Sequence, residues 1–150
     1  MIIAGMLLLA AAPFAAGSHV DARDYPSAGA GEAAFAVMER ALVRGFDYIC
    51  GDTFCEGDYG NLRALQLRCA VSRDGGTVAG CLWSFAGSHA SVGPFDPTPS
   101  VDARTWACRL PVVPGTSLAA LLERLRGPDA LDTPLPGTDV SSYDALTDCL

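Results

Sequence analysis

At 150 residues the chain has the length of one domain, and a 50% hydrophobic content excludes an intrinsically disordered polypeptide. It carries ten arginines, no lysine and seventeen acidic residues, for a formal net charge of −7. That balance excludes the clustered positive charge by which nucleic acids and anionic membranes are bound.

The chain opens on an uninterrupted apolar run, Ile2 to Ala12, broken by Pro13 and followed by Ala15, Ala16, Gly17 and Ser18. The run falls short of the ~20 residues a membrane span needs and has the form of a signal peptide, assigned to residues 1–18. Cleavage after Gly17 or Ser18 avoids placing Phe14 three residues before the cut. The expected destination is the periplasm or the medium, with no integral span left after cleavage. Residues 19–31 are small and polar and read as a flexible arm.

A single domain is expected over 32–127. Ala34, Phe35, Met38, Ala41 and Leu42 form one apolar stripe, which predicts a helix over Glu32–Arg44 with Gly45 as its left-handed end. Cys50-Gly-Asp-Thr-Phe-Cys-Glu-Gly-Asp-Tyr59 follows as an acidic loop. Strict alternation then begins: Leu65, Leu67, Cys69 and Val71 point to one face, and Gln66, Arg68, Ala70 and Ser72 to the other. Asp74-Gly75-Gly76 predicts a hairpin turn. The return strand, Val78–Gly87, places Ala79, Cys81, Trp83 and Phe85 on one face. A three-residue loop centred on Gly75 sets Cys69 against Cys81, Leu67 against Trp83 and Leu65 against Phe85. A one-residue slip would turn the large side chains of the second strand to the opposite face.

Residues 88–101 read as a loop. Arg104–Val112 predicts a third strand with Trp106, Cys108, Leu110 and Val112 inward, and Leu118–Arg126 a second helix capped by Ser117 or Thr116. From Pro128 the chain is an acidic tail with five aspartates and no basic residue, expected to end in a short helical turn from Ser142 and to be tied down by Cys149. The expected fold is α+β: a helix packed on an antiparallel meander of three strands or slightly more, a second helix after the sheet, and disulfide stabilisation. Cystatin-like folds share this order, an analogy of architecture that implies no activity.

Six cysteines behind an export signal predict three disulfides. Register supports Cys69–Cys81; Cys50–Cys55 closes the acidic loop and Cys108–Cys149 ties the tail to the third strand. The rival set links Cys55 to Cys69 or Cys81 to Cys108. A redox role for Cys50 and Cys55 is opposed by Asp47, Asp52, Glu56 and Asp58, since acidic neighbours raise a thiol pKa.

No cofactor is expected from the residues; the one metal alternative is Ca²⁺ held by Asp52, Glu56 and Asp58, although the spacing is not that of an EF-hand. A small hydrolase is a weaker alternative. Two carboxyls flanking a cleft find little room, and His89, with Ser84, Ser88 and Ser91 nearby, lacks the Gly-x-Ser-x-Gly elbow. An enzyme is therefore the less favoured reading. The outer sheet face carries Arg68 and Arg109, which suit a carboxylate-bearing partner, whether protein or small ligand. The residues thus describe an exported, disulfide-stabilised binding or envelope-associated module.

The loop Cys50–Tyr59, with Leu65-x-Leu-x-Cys69 and Cys81-x-Trp-x-Phe85 after it, resembles a group of small secreted bacterial proteins that share the acidic double-cysteine loop ahead of a cysteine-bearing strand pair. The resemblance covers about a third of the chain. It implies export and disulfides, and transfers no catalytic or binding residue.

Overall fold

The computed structural model describes residues 17–150, so the expected signal peptide lies outside the described residues apart from Gly17 and Ser18. Strand β1 (His19–Asp21) leads through a 3₁₀ turn into helix α1 (Glu32–Ile49). After a second 3₁₀ turn at Cys50–Asp52 come β2 (Arg63–Ser72), β3 (Val78–Val92) and β4 (Pro99–Leu110), then α2 (Leu118–Arg124) and α3 (Ser142–Thr147). The strands form one antiparallel sheet in the order β1-β2-β3-β4. This is an α+β fold with three disulfides.

Inward strand positions Leu67, Cys69, Val71, Cys81, Trp83, Phe85, Cys108 and Leu110 join Phe35, Met38, Ala41, Leu42 and Phe46 of α1 in one core. The outward positions Gln66, Arg68, Ala70, Leu82, Thr105, Ala107 and Arg109 are all exposed. The sheet is therefore packed on one face and wet on the other, as its alternation requires.

Five expectations change on contact with the tertiary structure. The stretch 19–31 is built into the fold: His19–Asp21 pairs with Ala70–Ser72, and Arg23 bonds to Glu32 and Glu39 at 2.6 Å each. This edge strand is the sheet's fourth.

Helix α1 does not stop at Gly45, which keeps a helical backbone. Continuing to Ile49 buries Phe46 completely, among Phe85 (4.9 Å between ring centroids), Phe54 and Trp83. Burying a phenylalanine is worth about 2–3 kcal/mol, against about 1 kcal/mol for glycine in a helix interior.

The pairings Cys69↔Cys81 and Leu67↔Trp83 are present, but Ala64, not Leu65, opposes Phe85. A bulge between Ala64 and Gln66 pushes Leu65 out to 57% exposure, and Leu62 is buried in the core instead. A second irregularity at Ala70/Val71 pairs Val71 with Val78, so the turn spans residues 73–76 and is not a three-residue loop centred on Gly75. Gly76 takes the positive φ of +62°.

The expected loop 88–101 is mostly sheet. β3 and β4 pair without interruption from Cys81↔Leu110 to Val92↔Pro99, leaving only residues 93–98 to connect them. Backbone pairing sustains this ribbon where side-chain alternation is faint.

The tail is not an appendage. Ala130, Leu131, Leu135 and Leu146 are buried in the same core as the strands, so the compact unit extends past 127. Ser117 caps α2 by accepting from the Ala120 N–H at 3.1 Å, and α2 ends at Arg124. Ser141 and Asp144 form a reciprocal capping box at α3.

Candidate functional site on the open sheet face

The acidic loop is a corner tied at several points. The disulfide Cys50–Cys55 closes it, and Phe54 stacks on Phe46 at 5.6 Å and lies 5.7 Å from Tyr143. Tyr59 packs edge-on against Trp106 at 5.1 Å, and the Arg104 guanidinium lies over the Tyr59 ring at 5.1 Å. Trp106 thus faces inward as expected, but is partly exposed and packs against Tyr59. The Tyr59 hydroxyl donates to the Asp102 carboxylate. Asn61 clasps Ser88 twice: its amide donates to the Ser88 hydroxyl at 2.7 Å, and its carbonyl accepts the Ser88 N–H at 2.6 Å. These contacts fasten the corner to the β3–β4 ribbon.

The hydrogen bond to Asp102, followed by desolvation, raises the Tyr59 pKa above its ordinary value, while the Arg104 charge works the other way. Tyr59 is therefore held as a neutral donor. Neither Asp102 nor Arg104 stood out in the sequence, because both fall in the stretch read as loop or at its boundary; pairing of His89 with Asp102 would have marked the cluster.

Of the expected calcium ligands, Glu56 and Asp58 are exposed, and the Asp52 side chain lies outside the described ones. Of the hydrolase candidates, His89, Ser84 and Ser88 each have a partner other than one another. His89 Nδ1 is 2.9 Å from the Asp58 carbonyl, the Ser84 hydroxyl donates to the Gln66 carbonyl, and the Ser88 hydroxyl accepts from Asn61.

The open face offers a different kind of place. A shallow depression of about 510 Å³ is lined by His19 and Asp21 of β1, Arg68 and Ala70 of β2, Gly80 and Leu82 of β3, and Arg109 of β4. Gly80 supplies the floor, and the Arg109 guanidinium lies over it: a Cβ there would sit in contact with Nη1 at 3.4 Å. The two arginines differ in state. Arg68 Nε is 2.6 Å from Asp21, a half-buried pair that tethers β1, whereas Arg109 forms no ion pair among the described residues. Sequence reasoning selected Arg68 and Arg109 but missed His19, Asp21 and Gly80, since the first two were assigned to an arm.

Fold and site define a disulfide-bridged α+β domain with one uncovered sheet face. No protein-family model, curated protein or solved structure matches the chain.

Proposed function

We propose that the protein is an exported, disulfide-stabilised binding or envelope-associated module of the periplasm or medium, and that its open sheet face receives a carboxylate-bearing ligand at Arg109. The observation that carries this reading is the free Arg109 guanidinium above Gly80, in a concavity whose other cation, Arg68, is already matched by Asp21. Guanidinium forks bind carboxylates through paired charge-assisted hydrogen bonds, and Leu82 and Ala70 give the depression an apolar wall. Three disulfides suit an oxidising compartment. Among the described residues no helix is long and apolar enough to cross a membrane.

The test is affinity capture from native envelope extract and culture medium, followed by titration with peptides ending in free or amidated carboxyl groups. Arg109→Ala and Gly80→Val, the latter filling the floor, are expected to abolish capture and the preference for a free carboxylate. Arg126→Ala, just past the end of α2, is the control. Undiminished capture by both site variants would overturn the reading.

A further inference from the structure

The outer edge of β4 carries a second surface, independent of the depression. β4 is the last strand of the sheet, and residues 99–105 and 107 are exposed. Outside the ladder with β3, no backbone group of residues 99–107 has a hydrogen-bond partner among the described residues. The ladder contains no bulge that would twist this edge away. Exposed edges of this length are usually blunted by lysine, internal proline, bulges or inward charges. Here proline stands only at the strand's first residue, and over residues 99–107 the charges are Asp102 and Arg104, of opposite sign and two residues apart on the same face.

Those charges select a register. In an antiparallel pair directly opposed residues point to the same side, so a symmetric pairing of two β4 strands must be centred on a residue. Centred on Asp102 it opposes two carboxylates, and on Arg104 two guanidinium groups, arrangements that are destabilising. Centred on Ala103 it opposes Asp102 to Arg104 of the partner subunit, twice. The outward side of that register is uncharged: Ala103 meets itself, Val101 meets the partner's Thr105 and Pro99 meets the partner's Ala107. Val101, 65% exposed in the single chain, would be covered.

We propose that two copies of this chain associate edge to edge through β4, antiparallel and two-fold symmetric about Ala103, to form one continuous eight-stranded sheet. The inward charges that disfavour centring on Asp102 or Arg104 attract each other across this register. A ladder of this kind buries modest area, so the dimer dissociates on dilution through the micromolar range and weakens with salt.

Sedimentation of the full exported chain across that range tests the proposal, and a monomer at every concentration overturns it. D102R and R104D, each opposing like charges twice, are expected to weaken self-association about ten-fold or more. Mixed in equal amounts they should form a heterodimer, because each Arg then faces an Asp; the double swap D102R/R104D should again self-associate. Failure of the mixture while both variants remain folded by circular dichroism overturns the register. A103C leaves the charges untouched and is expected to cross-link to a covalent dimer on oxidation. T105C, which lies opposite the partner's Val101 and beyond the ~7 Å Cα reach of a disulfide from its own copy, should not. Equal cross-linking of the two, or none from A103C, also overturns the proposal.

Discussion

Glu39 of α1 accepts the backbone N–H of Leu67 in β2 at 3.1 Å. β1 covers β2 only at residues 70–72, so Leu67 lies on a stretch of edge with no neighbouring strand, and the helix carboxylate occupies the vacancy. The second oxygen of Glu39 takes Arg23 at 2.6 Å. One side chain thus joins the N-terminal segment, the helix and the sheet. Burial alone would lower the Arg23 pKa, but hydrogen bonds and charges from Glu39 and Glu32 outweigh it and hold the guanidinium above its ordinary value.

Glu39→Ala is therefore expected to destabilise the fold by about 2 kcal/mol, since a part-buried donor and a part-buried cation lose the same partner. Glu39→Gln, which keeps an acceptor for Leu67 but not the charge, should cost roughly half as much. Denaturant midpoints at constant slope would check both. Equal effects would mean that the bond to Leu67 contributes nothing and the charge carries the whole loss.

Gly45 is a contact residue. A Cβ at this position would stand 2.7 Å from the Leu131 Cβ. Gly45→Ala gains about 1 kcal/mol in helix propensity but overpacks the helix–tail contact by roughly 1–3 kcal/mol. The expected net is a loss. Leu131→Gly removes the Cβ that the new methyl would meet, so the double variant should be more stable than the sum of the two single changes indicates; strict additivity would show that the contact is not coupled.

The disulfides differ in the length of chain they close. Cys69–Cys81 spans 12 residues and Cys108–Cys149 spans 41. On chain entropy, replacing both cysteines of a pair by serine costs about 3 kcal/mol for the first and about 4 kcal/mol for the second. The second change also frees α3, whose Leu146 is wholly buried. Urea titration of the two double variants gives the ranking, and mass mapping after non-reducing digestion checks the pairing.

Stability should fall at both ends of the pH scale for identifiable reasons. The Ser141 N–H, and then its hydroxyl, lower the Asp144 pKa. A depressed carboxylate contributes stability that is present above its unfolded value and lost as pH falls through its folded value. Tyr59 is the opposite case, raised above 10.0 by its bond to Asp102. Its contribution is complete below the unfolded value and disappears as pH rises through the folded one. Tyrosinate absorbance of the native chain should show one late-titrating group that is absent in Tyr59→Phe. Asp144→Asn should flatten the acid limb of the melting curve.

Glu56 and Asp58 are exposed, as solvated carboxylates are, so added calcium is expected to leave the melting temperature unchanged. A rise with added Ca²⁺ and a fall with chelator would restore the acidic loop as a metal site.

Alternation alone determined the central part of this protein. Leu67, Cys69, Trp83 and Phe85 had to face one way, and a slip of one residue would have exposed every one of them, so the Cys69–Cys81 alignment was legible. The stripe from Phe35 to Leu42 and the polar outer face with Arg68 and Arg109 were legible for the same reason. Tertiary structure decided everything that depends on a distant neighbour. Gly45 reads as a helix end until Phe46 finds Phe85 and Leu131 lies against the glycine. Leu65 reads as core until the bulge gives its place to Leu62. His19–Asp21 is a strand only because β2 offers an edge, and residues 88–101 form a ribbon through backbone pairing that serine, alanine and glycine side chains do not announce. Local periodicity records which face of an element is buried. Where an element ends, and what a glycine or an arginine is beside, is set by packing between residues far apart in the chain.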